Sequence, residues 1–148
     1  MYVELQNQNK EIRRHFEEYN DICNRVREMQ YKIFLLKERL YSISGVKYDD
    51  IPKSTATPQN DIVYRLQEIE DLMQEYEDLR EQERLKVREH LAEINQVPNE
   101  TWRSILRSYY LHHMSIQEIA DMLQKTPNHV SKLKGQATNM FYLVITKK

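Results

Sequence analysis

Between Ile12 and Leu40, apolar side chains recur at alternating spacings of three and four: Ile12, Tyr19, Ile22, Val26, Met29, Ile33, Leu36 and Leu40, interrupted only by His15. A rhythm kept this long fits a long α-helix buried along a narrow seam. Phe16 and Cys23 widen the seam, which predicts packing against more than one neighbour. Ser44-Gly45 predicts its end, because glycine readily takes the left-handed conformation that closes a helix.

A polar connection follows over 45–60, holding Pro52 and Pro58, with Tyr48 and Ile51 available to tack it down. It is long for a compact helix pair, where about 2–8 residues are usual. A second helix is predicted to open at Thr57-Pro58, with the hydroxyl as cap and proline at the first helical position. Its stripe runs Ile62, Leu66, Ile69, Leu72/Met73, Tyr76 and Leu79, breaks at the charged Arg80–Arg84, and resumes at Val87, Leu91 and Ile94. The break reads as an exposed middle or a change of register. Over 61–95 there are 11 acids against five bases, a face that repels DNA. The simplest arrangement is a long antiparallel helical hairpin, coiled-coil-like, each arm roughly 50 Å long. Two helices bury little alone, so dimerisation or packing on the C-terminal part is expected. Core duty accounts for such stripes first. The functional alternative is a partner surface, for polymerase or another protein.

The chain of 148 residues has 30% charged residues, two glycines and four prolines, which points to an all-α protein. No apolar run approaches the ~20 residues of a membrane span, and no apolar signal core stands near the N-terminus. The lone Cys23 excludes an internal disulfide framework and suits a reducing compartment, so a soluble cytoplasmic protein is expected. Net charge is −1, but it is unevenly placed. Residues 1–97 carry 15 Lys/Arg and 20 Asp/Glu, whereas 98–148 carry seven Lys/Arg and three acids. A basic end on an acidic body suits DNA contact by one end.

That end is read as a second domain over 98–148, following the hairpin and its loop over 1–97. Pro98-Asn99 starts a helix running to about His112, with Trp102, Ile105, Leu106, Tyr109, Tyr110 and Met114 inward. Arg103 and Arg107 lie one turn apart, placed either for phosphates or on a solvated face. Ser115 and Glu118 form a capping-box pattern before Ile116, Ile119, Ala120 and Leu123. Thr126-Pro127 then gives a second start, and Val130, Leu133 and Ala137 continue inward. Two short helices so joined, the second polar and partly basic, form the pattern of a DNA-binding helix-turn-helix.

In that reading Asn128 pairs with an adenine edge, Lys132 reaches guanine, and His129 and Ser131 touch bases or phosphates. Lys125 and Lys134 suit phosphate, with Thr126 and Gln136 at the edges of the same surface. The Phe141–Ile145 run is expected to pack on the hairpin or, preferably, on a second subunit. No phosphate loop, Cys-x-x-Cys, His-Glu-x-x-His or nucleophile motif is present, so no enzyme and no cofactor are expected. His112-His113 reads as helix-end contacts, with no metal expected, and His15 and His90 read as tolerated edge residues.

The run from Trp102 to Ala137, with LRSYYLHHMSIQEIADML and then TPNHVSKLKGQA, resembles the sigma-70 region 4-like part of ArpU/RinA-type phage regulators. The loop KYDDIPKS and the acidic helix after it resemble that group's layout. The resemblance implies a phage or prophage activator of late genes, working with bacterial RNA polymerase on double-stranded DNA, with Pro127–Ala137 as the recognition helix. A homodimer would present two such helices to two half-sites. Region 4-like modules often hold glycine where this chain has His113 and Gln124, and an apolar residue where it has Lys125. Left-handed backbone is uncommon at other residues, so these turns are expected to differ in detail. A small terminase-like packaging subunit is the alternative, and a coiled-coil assembly protein without DNA affinity is a third.

Overall fold

The computed structural model describes residues 2–44 and 58–147. The expectations for loop 45–57, including Gly45, Tyr48, Ile51 and the Thr57 cap, lie outside the described residues. All the regular structure described is helical: α1 (Tyr2–Ser44), α2 (Pro58–Ile94), α3 (Glu100–Leu106) running into a π-helical turn (Arg107–Leu111), α4 (Ile116–Leu123) and α5 (Pro127–Thr146). Among the described residues, no helix is long and apolar enough to cross a membrane.

The chain forms two compact units, and they do not divide at Pro98. One contains Met1–Asn20 with Arg84–Lys148, and the other contains Asp21–Glu83. The reason is aromatic packing. Phe16 is fully enclosed, stacked on Tyr110 at 4.7 Å and 6° and on Phe141 at 5.6 Å. His90 lies 4.5 Å from the Phe16 ring, and Tyr19 donates a buried 2.7 Å hydrogen bond to the Leu111 carbonyl. Rings of this size bury the most area per residue, and offset or edge contacts add to that. The start of α1 and the end of α2 therefore belong to the same core as α5. Phe141 is fully buried within its own chain, so the preferred second-subunit contact does not hold for it, although Leu143 remains half exposed.

Within this unit α1 and α2 meet in opposite order along the chain. His15 meets Glu93 at 2.7 Å, and Glu18 meets Lys86 at 3.0 Å. The second unit is built around Ile22, Val26 and Leu79, with Met29 and Tyr76 against them. There Gln30 donates to the Tyr76 hydroxyl at 2.8 Å. The α1 repeat is buried largely as its spacing predicts, with Ile12, Tyr19, Ile22, Val26 and Ile33 all enclosed. On α2, Ile69, Leu79 and Ile94 are buried, whereas Leu66 and Met73 are exposed. Within the charged stretch Glu81, Gln82 and Arg84 are exposed, as the first of the two readings has it, and the helix runs through unbroken. Glu83 and Lys86 occupy partly buried positions at the same three-four spacing, each held in an ion pair. Hydrogen bonding to Glu18 raises the Lys86 ammonium above its ordinary value, against a smaller cost of burial.

His15 and His90 are not edge residues. His90 is buried, and His15 packs its ring on Phe16, His90 and Phe141.

The C-terminal helices carry a core of their own, made of Ile105, Ile119, Ala120 and Val130, with Tyr109, Met114, Ile116, Leu123 and Leu133 against it. Every start signal read there is satisfied. The Asn99 side chain accepts from Trp102 N–H, Ser115 and Glu118 close a reciprocal capping box, and Thr126 accepts from His129 N–H.

Candidate nucleic-acid interface

The turns around α4 decide where α5 points. Gln124 closes α4 with φ 56° and ψ 45°, and its N–H reaches back to the Ala120 and Asp121 carbonyls. Lys125 N–H also returns to Ala120, at 2.9 Å. His113, before α4, is left-handed as well, at φ 55°. Both non-glycine residues thus take the left-handed conformation that glycine would take at no steric cost. At His113 there is a visible compensation, since its ring stacks on Tyr19 at 5.7 Å and 7°. At Gln124 the side chain is exposed, and the left-handed backbone costs about 1–2 kcal/mol.

Gly135 shows the reverse. It sits inside α5 with open space where a Cβ would stand. Gln124→Gly and Gly135→Ala should therefore each raise stability by about 0.5–1 kcal/mol, less in the first case because glycine loosens the unfolded chain. Denaturant unfolding of the two variants measures this. A loss of stability at either position would contradict the backbone described.

Asn128, His129, Ser131 and Lys132 form the exposed first turns of α5, beside the exposed Lys125. Asn128 and Lys132 are four residues apart, hence on one face. Gln136 continues the exposed surface one turn on. Val130 and Ala137 face inward and are fully buried, so the helix cannot roll without uncovering its core. Thr126 spends its hydroxyl on the cap to His129 N–H at 3.2 Å, which makes it a positioning residue.

Three of the expected phosphate contacts are engaged elsewhere. Glu100 holds Arg103 at 2.7 Å and Arg107 at 3.0 Å, and Arg103 also donates to the Val97 carbonyl at 2.6 Å. The hydrogen bonds from Arg103 and then Arg107 keep the Glu100 carboxyl below its ordinary range. Lys134 lies 3.8 Å over the Tyr109 ring, a cation–π contact on the flank of the helix. Among the described residues of this face, the exposed positive charge is thus narrower than the sequence implies, centred on Lys125 and Lys132. The i, i+3 and i, i+7 spacing of Glu100, Arg103 and Arg107 was a legible signal for this network.

His112 ends the π-helical turn as its cap, donating its backbone N–H to the Arg107 carbonyl at 3.0 Å. Among the described residues the group with the spacing of metal ligands is a different one, His15, His90 and Glu93. The scan against family models finds no match, and neither do the searches of curated proteins and of solved structures.

Proposed function

We propose that this chain is a sequence-specific DNA-binding transcriptional regulator of the phage late-gene type, acting with RNA polymerase in the bacterial cytoplasm. The observation that carries the reading is the exposed start of α5. It is a capped, core-anchored helix presenting Asn128, His129, Ser131 and Lys132 to solvent with Lys125 alongside. In this reading α4 and α5 are a helix-turn-helix, α5 enters the major groove, and Asn128 and Lys132 read base edges. Lys125 meets phosphate, as Lys134, Arg103 and Arg107 do only after leaving their present partners. The long helices form an antiparallel hairpin whose acidic flank meets polymerase rather than DNA.

A homodimer supplies the second recognition helix. Support comes from the Asp21–Glu83 unit, where Tyr31, Phe34 and Tyr64 are 64%, 56% and 72% exposed. Apolar groups this open along two long helices are ready contacts for a second copy. Phe34→Glu with Tyr64→Glu should convert a dimer to a monomer in sedimentation. A wild-type chain that is monomeric at working concentration would refute the dimer.

The DNA reading is tested by selecting binding sequences from a random pool, then comparing the chain with an Asn128→Ala, Lys132→Ala double variant on the selected site. Selection of no sequence, or equal affinity of the variant, would refute it. A ring-like mass, with binding confined to a packaging site, would instead identify a packaging subunit.

A further inference from the structure

We propose that His15, His90 and Glu93 form a site for one zinc-class divalent cation that clamps the first part of α1 to the end of α2. The three donors converge from two helices. His90 and Glu93 sit one turn apart on α2, and His15 comes from α1. His15 Nε2 lies 2.7 Å from one carboxylate oxygen of Glu93, and His90 Nδ1 lies 2.8 Å from the other. All three donor atoms fall within 4.8 Å of one another.

A second observation separates this cluster from an ordinary polar core. Despite the short distance, His15 Nε2 is buried and has no aligned hydrogen-bond partner. A buried ring nitrogen left so is costly, and a metal ion is a partner that would satisfy it. Two imidazoles and one carboxylate are a donor set that zinc takes with a water in the fourth position. Tetrahedral bonds of about 2.0–2.1 Å give ligand-to-ligand edges of roughly 3.4 Å. The two short histidine–carboxylate contacts must therefore open, by shifts on the order of 1 Å that side-chain rotation supplies.

Lys86, one turn before His90 on α2, is paired with Glu18 and Glu89 at 3.0 and 3.4 Å, so its charge is offset beside the site. Phe16 and Phe141 wall the site on the apolar side, while His15 and Glu93 keep about a quarter of their side-chain surface open as a route for the ion. The sequence carries only half of this, the His90–Glu93 spacing. His15 is 75 positions away along the chain and gives no signal.

The test is calorimetric titration of the chelator-treated full chain with Zn²⁺, with Co²⁺ as the spectroscopic probe and with His15→Gln and Glu93→Gln variants. The expected result is one ion per chain and a visible Co²⁺ spectrum of nitrogen and oxygen ligands. Zn²⁺ should also raise the thermal midpoint of the parent chain only, since it binds the folded state. Each variant should lose affinity roughly a hundredfold or more, beyond the 10–100-fold typical of outer-shell partners. His15→Gln alters a partly exposed ring, so it decides the question even if Glu93→Gln does not fold. Absence of saturable one-to-one binding, undiminished binding by His15→Gln, or a thiolate band pointing to Cys23 would overturn the site. DNA binding does not depend on it, so the two readings fail separately.

Discussion

Val26→Asp together with Ile33→Asp should unfold the Asp21–Glu83 unit. Both side chains are enclosed, at 4% and 9% exposure, and Val26 belongs to the core with Ile22 and Leu79. A carboxylate placed there either ionises without a partner or takes up a proton, and both routes cost folding energy. About 3 kcal/mol or more at each position is expected, against a total stability of about 5–15 kcal/mol for a domain. Far-UV circular dichroism should fall and the thermal midpoint should drop steeply. A midpoint within about 2 °C of the parent would show that the seam is not the core of this unit.

The second large effect is on DNA. Asn128→Ala with Lys132→Ala should abolish specific binding while leaving the fold intact. Each good base contact discriminates by about 1–3 kcal/mol, so the pair together removes roughly thirtyfold or more in affinity for the selected site. Both side chains are exposed and neither carries a cap, so stability should move by no more than about 0.5 kcal/mol. Loss of Lys132 should also lower the slope of log affinity against log salt if that ammonium touches a phosphate instead of a base. Site protection undiminished in the double variant, with the fold intact, would remove α5 as the reading helix.

The difference between what the sequence disclosed and what it concealed follows from the range of the interactions. Helix starts at Asn99, Ser115 and Thr126 were legible because capping is settled within four residues of chain. The α1 seam was legible because one repeat of burial is written many times over. Its α2 counterpart was harder to read, since Glu83 and Lys86 fill seam positions with charged side chains whose stems are half-buried and whose ends are paired. The inward aim of His90, and the partners that Phe16 and Phe141 find far away along the chain, are announced by no local pattern. Among the candidate DNA contacts, the exposed ones were identified from helical periodicity alone. Which cations are already engaged was not read, although the spacing of Glu100 to Arg103 and Arg107 carries it.

The pairing of Tyr19 with Leu111, 92 positions apart, has a consequence for how the molecule comes into being. The core around Phe16 and Phe141 cannot close until α5 has left the ribosome. Ring contacts over such separations carry a large loop-closure cost and form late. The Asp21–Glu83 unit draws on one continuous stretch and can assemble during synthesis. During translation the start of α1 waits with Ile12, Phe16 and Tyr19 uncovered, an exposure that invites misassociation until α5 arrives. A chain broken off before α5 would keep its seam but lack the aromatic cluster, so the exposed face of α5 and the seal on the start of α1 are completed by the same segment, Pro127–Thr146.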